Sequence, residues 1–174
     1  MNQWKIDNSH SEITFKVKHL MITTVTGKFN EFDANMDFDG IDLKNANVNF
    51  EAFVNSINTG VEQRDNHLKG DDFFNVEQFP QLTFQSKEIS KIKDDEYKMM
   101  GLFTMKNITK PITLDLIYNG IITDPWGMTR AGFEIAGKIN RYDFDLKWNA
   151  ATETGGVVVS QDVKLQMNVE MVKE

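Results

Sequence analysis

The stretch Glu12-Ile13-Thr14-Phe15-Lys16-Val17-Lys18-His19 puts apolar side chains at 13, 15 and 17 and polar ones at 12, 14, 16 and 18, with His19 closing the face. Successive side chains of a strand point to opposite sides, so this period of two predicts a strand with one dry and one wet face. The alternation recurs at Phe32, Ala34, Met36, Phe38; at Val48, Phe50, Ala52, Val54; at Leu82, Phe84, Ser86; at Tyr97, Met99, Gly101, Phe103; at Ile112, Leu114, Leu116, Tyr118; at Phe133, Ile135, Gly137, Ile139; and from Val163 to Met171. Turn signals separate the runs at Asp39-Gly40, Asp94-Asp95, Asn119-Gly120, Asp124-Pro125 and Thr154-Gly155-Gly156. About eight strands in an antiparallel meander follow. Each has one apolar face, so they must stack as two sheets or close on themselves. Closure also removes exposed edges, which predicts an eight-stranded barrel. Inward parity changes from odd to even between Phe29 and Phe32, as a bulge or sharp bend at a barrel corner requires.

One segment breaks the pattern. From Asn58 to Glu77 the chain opens with Thr59-Gly60-Val61-Glu62, in which Thr59 can cap a helix and Glu62 can reach back to it. Val61 and Leu68 then share a face, and Gly70 sits where a helix of roughly ten residues would end. Asp71-Asp72-Phe73-Phe74 reads as a further helical turn before Pro80 returns the chain to strand. A short crossover helix is thus predicted to lie against one open end of the barrel.

The chain has 174 residues, which at roughly 150 residues per domain predicts a single domain over 1–174. Composition is that of a soluble globular protein, and its longest apolar run, Met99 to Phe103, falls far short of the roughly 20 residues of a membrane-spanning helix. The start MNQWKIDNSHSEITF lacks the basic, apolar and small-residue succession of a secretory signal, so a cytoplasmic location is expected. With 19 Lys plus Arg against 26 Asp plus Glu, a net charge of −7, and no basic cluster along the sequence, a nucleic-acid surface or an anionic-membrane anchor is not expected. A small hydrophobic partner fits better. A homodimer stays open.

Catalytic signatures are missing: there is no Gly-x-Ser-x-Gly elbow, no His-Glu-x-x-His, no phosphate-binding glycine loop and no Cys. No cofactor is implied. His10, His19 and His67 lie on separate segments, so no metal site is expected. His10 instead reads as a partner within the entry turn. Arg64-Asp65 with His67 has two readings, a charged anchor for an anionic head group or a clamp that ties the helix to the barrel, and ion pairs are more often structural. Asn140-Arg141-Tyr142-Asp143 has the same two readings. The 13 Phe and 9 Met, many at inward parity, suit either a packed core or an irregular apolar ligand, since an eight-stranded barrel is just wide enough for both. Phe103 stands at inward parity beside Gly101, which would leave room next to its ring for a ligand chain.

Ser56-Ile57-Asn58-Thr59-Gly60, Arg64-Asp65, His67-Leu68, Asp71-Asp72-Phe73-Phe74, Phe79-Pro80 and Phe84-Gln85-Ser86 together resemble the YceI-like polyisoprenoid-binding proteins. The similarity continues through Trp4, Asp7, Ser9-His10-Ser11, Phe15, Val17, His19 and Gly27 to Phe29, and through Gly101, Thr109-Lys110-Pro111, Asn140-Arg141 and Asp143-Phe144, so it covers essentially the whole chain. The resemblance implies a non-enzymatic, lipocalin-like antiparallel barrel that encloses a long isoprenoid chain. The contact set expected on that basis is Phe15, Val17, Phe29, Phe50, Ala52, Phe84, Met99, Phe103, Leu114, Leu116, Phe133 and Ile135, with Arg64, His67 and Arg141 at one mouth for a head group. Asn58 and Asn75 stand where the family usually has Asp. Asp145 stands where Gly commonly follows the Asp-Phe pair, so the loop from Asp143 to Trp148 is expected to depart from the family's conformation.

Overall fold

The computed structural model describes residues 2–174. Eleven strands are formed: β1 (Asn2–Ile6), β2 (Glu12–His19), β3 (Thr23–Phe29), β4 (Phe32–Phe38), β5 (Asn47–Phe53), β6 (Ile57–Asn58), β7 (Gln81–Lys93), β8 (Glu96–Met105), β9 (Ile108–Thr123), β10 (Thr129–Asn140) and β11 (Asp162–Lys173). One α-helix, α1 (Glu62–Lys69), connects β6 to β7. The eleven pieces make eight staves. β1 and β2 both pair with β11, Ile6 opposite Met171 and Ile13 opposite Met167, so they are two halves of one strand bent at a 3-10 turn over Asn8–His10. β3 and β4 are likewise one bent strand, since β3 pairs with β2 while β4 pairs with β1. β5 and β6 repeat the arrangement against β4 and β3. All pairings are antiparallel, and β11 against β1 and β2 closes an eight-stranded barrel.

Each bend has its own local cause. Asp7 accepts the Ser9 backbone N–H at 2.9 Å and so caps the first turn. The parity change between Phe29 and Phe32 is a corner: both phenylalanines are buried, and Asn30 and Glu31 between them donate their N–H groups to the backbone carbonyl and Oγ of Ser56. The bend of one strand is therefore tied to the break in the next. A bulge between Ser86 and Glu88 moves the inward set of β7 from Leu82 and Phe84 to Ile89.

The expected helix cap is replaced by another. Val61, not Thr59, precedes α1, and the partner of Thr59 is Asp65 rather than Glu62: the Asp65 carboxylate accepts from the Thr59 N–H at 2.9 Å and from its hydroxyl at 2.6 Å. The helix runs eight residues and ends at Gly70 as expected. Asp71 to Phe74 forms hydrogen-bonded turns and no helix. The room beside Gly101 is also not free. A Cβ there would meet the Phe84 ring at 2.4 Å, because that ring lies over the glycine backbone, as the Phe15 ring lies over Gly27. Both glycines serve close aromatic packing inside the barrel.

Candidate functional site

The two ends of the barrel are built differently. At one, Trp4 and Phe38 are fully buried, the Trp4 indole N–H donates to the Phe38 carbonyl at 3.0 Å, and Tyr118 packs edge-on against Phe38 and stacks on Phe133. Leu43, buried on its 3-10 turn, completes the plug. Outside it, Arg130 binds the carboxylates of Asp7 and Asp124 at 2.7 Å and that of Glu170, joining β1, the β9–β10 hairpin and β11. His10 Nδ1 lies 2.9 Å from Asp7, the entry-turn role expected of it. Asp7, His10 and Glu170 bring their ligand atoms within 4.8 Å of one another, but the Arg130 guanidinium already holds both carboxylates.

At the other end, α1 and the segment 145–161 lie over the barrel. Arg141 is buried at 3% exposure and has no carboxylate partner; it donates to the carbonyls of Ser160 (2.8 Å), Trp148 (2.9 Å), Val159 (3.2 Å) and Leu146 and stacks on Tyr142. Burial lowers its pKa from the usual arginine value. Asn149 fastens the same segment by bonding Tyr142 and the Val159 carbonyl while accepting from the N–H groups of Val158 and Val159. Trp148 packs edge-on against His67 at 4.9 Å and meets Phe73 at 5.4 Å, which joins the segment to the turn after α1. Arg64 donates to the hydroxyl and carbonyl of Thr59 at 2.7 Å each, and His67 bonds Asp72 at 2.8 Å. Asp145 holds φ 60, ψ 25, the left-handed region that favours glycine. Its carbonyl accepts from Lys106 at 3.0 Å.

Between the ends lie two adjoining cavities of about 130 and 300 Å³. The inner one is walled by apolar side chains with Thr14 as its one polar residue and contains no ionisable group among the described residues. The outer one lies at the helix end, and its lining includes the polar residues Lys18, His19, Thr59, Arg64, His67 and Arg141, of which Lys18 and His19 are exposed and Arg141 is buried. Phe15, Phe29, Leu82, Phe103 and Leu165 border both and form the neck. Of the residues expected to line a ligand, Phe50, Phe84, Met99, Leu114, Leu116, Phe133 and Ile135 face the inner cavity, while Val17, Arg64, His67 and Arg141 face the outer one. Ala52 is completely buried and reaches neither. The three histidines do not converge: His19 and His67 border the outer cavity, and His10 is at the plugged end. Trp148, Phe73, Ile139 and Val163 also line the outer wall although the expected contact set left them out: Ile139 and Val163 have the inward parity of their strands and Phe73 stands in a quoted motif, whereas Trp148 is brought in from a loop by long-range packing and carries no motif.

A model of the family described as YceI-like domain matches residues 4–171. The chain is 37% identical over 171 residues to UPF0312 protein SA2479 of Staphylococcus aureus (strain N315), covering 98% of this chain and 97% of that one. The crystal structure of a Campylobacter jejuni YCEI protein superposes with a TM-score of 0.78 at 35% identity, covering 91% and 90% of the two chains. A polyisoprenoid binding domain from Saccharophagus degradans has the same fold, with a TM-score of 0.76, 14% identity and complete coverage of both chains.

Proposed function

Because the chain belongs to the YceI-like family, we propose that it binds a long-chain isoprenoid or similar amphiphilic lipid inside the barrel, as a carrier or store and without catalysing a reaction. Two adjoining cavities carry this reading, the inner one apolar but for Thr14 and the outer one holding all the charged lining residues, which is the polarity profile of an amphiphile entering tail first. The polyisoprenoid binding domain from Saccharophagus degradans shares the fold that encloses them. An enzyme would need convergent ionisable groups against the substrate, and the inner cavity has none among the described residues. A barrel serving only as an interaction module would have its interior filled.

Burying a methylene is worth about 0.8 kcal/mol, so a five-carbon prenyl unit contributes roughly 3–4 kcal/mol against water. The competing environment is a bilayer just as apolar, so the net gain per unit is small, and selectivity falls to the width of the neck and to the polar end. In this reading Arg141, whose charge no carboxylate neutralises, attracts the head group, and Arg64 and His67, each already hydrogen-bonded within the α1 region, shape the entrance.

Organic extraction and mass spectrometry of the purified protein test this reading. We expect a co-purified lipid in the wild type and its loss in Phe103→Asp, a variant that places a carboxylate at the neck. Circular dichroism melting establishes that the variant is folded. A folded Phe103→Asp protein carrying as much lipid as the wild type, or a wild type that takes up no prenyl lipid when offered it, overturns the proposal.

A further inference from the structure

The β2–β3 hairpin rims the outer cavity, and its tip departs from the chemistry of an ordinary exposed turn. Met21 and Ile22 are 65% and 78% exposed, and Leu20 and Met21 hold φ of 51° and 65°, a region where glycine or asparagine is usual. The Leu20 N–H donates to the Val158 carbonyl at 2.8 Å, and Met21 lies against Gly156, so exposed Val157 extends the apolar tip along the neighbouring segment.

Immediately below this tip the outer wall is basic. Lys138 of β10, Lys164 of β11 and Lys16 of β2 stand directly opposite one another across three paired strands, and Lys18 lies one pleat nearer the rim. Like charges in register weaken a sheet, and Asp162 is the acid that meets this row, 3.7 Å from Lys138. The row has no account in the fold. It arises in a chain whose net charge is −7, from residues up to 148 positions apart, which is why no basic cluster shows along the sequence.

We propose that the helix end docks on an anionic lipid bilayer, with the tip Leu20-Met21-Ile22 in the head-group layer and the lysine row against lipid phosphates. The outer cavity then opens at the membrane, and an apolar ligand passes between bilayer and barrel without crossing water. The purpose of such docking rests on the lipid-carrier reading; its geometry does not. Glu62, Asp71 and Asp72, exposed on and after α1, carry the opposite charge, so the proposed contact is made by the β2–β3 tip and the lysine row and not by α1. A second apolar tip exists at the plugged end, where Trp126 and Ile41 are 84% and 82% exposed, but it lies among Asp39, Asp42 and Asp124 and far from the cavity mouth.

Co-sedimentation of the full chain with vesicles tests this. Vesicles of equal parts phosphatidylglycerol and phosphatidylcholine should retain the wild type, pure phosphatidylcholine should not, and salt should weaken retention. Met21→Asp/Ile22→Asp and Lys16→Glu/Lys164→Glu should each weaken binding about tenfold or more, while Trp126→Ser should bind like the wild type. Met21, Ile22, Trp126 and Lys164 are exposed and Lys16 is half-buried, and melting curves confirm folding. Retention independent of phosphatidylglycerol, tip and lysine variants that bind normally, or loss confined to Trp126→Ser overturns the proposal. So does a solution dimer that Ile22→Asp dissociates in a protein that ignores vesicles, which would assign the tip to a second copy. Lipid extraction of the same proteins separates the two readings: a protein that carries lipid yet ignores vesicles sinks docking alone, and one that binds vesicles yet never takes up lipid sinks the carrier reading alone.

Discussion

The plugged end and the helix end solve the same problem, closing a barrel, by opposite means. Trp4, Phe38 and Leu43 close the first with side chains on the strands and an adjoining turn, so that its stability is packing, and Arg130 ties the rim with ion pairs to three separate elements. The second is covered by α1 and the segment 145–161, held by one buried guanidinium that bonds backbone carbonyls, by Asn149, and by the ring contacts of Trp148. A cover made of loop backbone, joined to β2 by the antiparallel bridge between His19 and Val159, can separate from the barrel by breaking that short pairing; an aromatic plug cannot separate without dismantling the core. Opening therefore belongs to the helix end, beside the larger cavity and its polar residues.

The largest effect expected from breaking this contrast comes from Trp4→Ala. It removes a fully buried indole and leaves the Phe38 carbonyl without its donor, at a cost of about 3–5 kcal/mol in chemical denaturation. A loss near 1 kcal/mol would mean that the plug is not packed as described. Arg141→Met should cost about 2–3 kcal/mol, since four carbonyls lose a shared donor. Hydrogen exchange should then quicken across 145–161 while β1 and β4 stay protected; equal quickening at both ends would erase the distinction.

Acid should act first on the plugged end. Hydrogen bonds from Ser9, then His10 and Arg130, hold the Asp7 carboxyl well below the usual carboxylate range, and Arg130 does the same for Asp124. Folded-state values below unfolded ones mean that this stability is present above about pH 4 and is lost as pH falls through the depressed values. Melting temperature should accordingly fall below pH 4 in the wild type and fall less steeply in Arg130→Met, and a parallel acid dependence in both would show that the ion pairs do not govern it. The smallest effect is expected for Asp145→Gly. Relief of a left-handed residue, its lost carboxylate contact with Lys106 and the added freedom of the unfolded chain nearly cancel, leaving stability within about 1 kcal/mol of wild type.

The strand alternation was legible wherever a strand ran unbroken: Phe84, Met99, Phe103, Leu114, Leu116 and Phe133 all face the interior that period two assigns them. It was illegible in β1 and β6, which are short, and in β3, whose inward positions include Thr23 and Gly27 and so carry few apolar side chains. The count of eight held because those pieces are halves of bent staves. Ala52 has inward parity yet reaches no cavity, because parity selects a face and cannot say how far a small side chain extends from it. Gly101 misled for a similar reason. A missing side chain marks space, and only the packed barrel shows that the Phe84 ring fills it.

The sequence by itself determined the barrel, the single crossover helix ending at Gly70, the corner between Phe29 and Phe32 and the family, since alternation, turn chemistry and ordered motifs are local and repeat along the chain. Tertiary structure alone decided that Arg141 is buried against carbonyls, that Trp148 caps His67, that two cavities meet at Phe15 and Phe103, and that Lys16, Lys138 and Lys164 form one row. The Arg141 and Trp148 contacts depend on how the segment after β10 folds over α1 and the barrel end, and the meeting of the cavities and the lysine row depend on the register of strands distant in sequence. Closure of the barrel sets that register, and no local window of residues contains it.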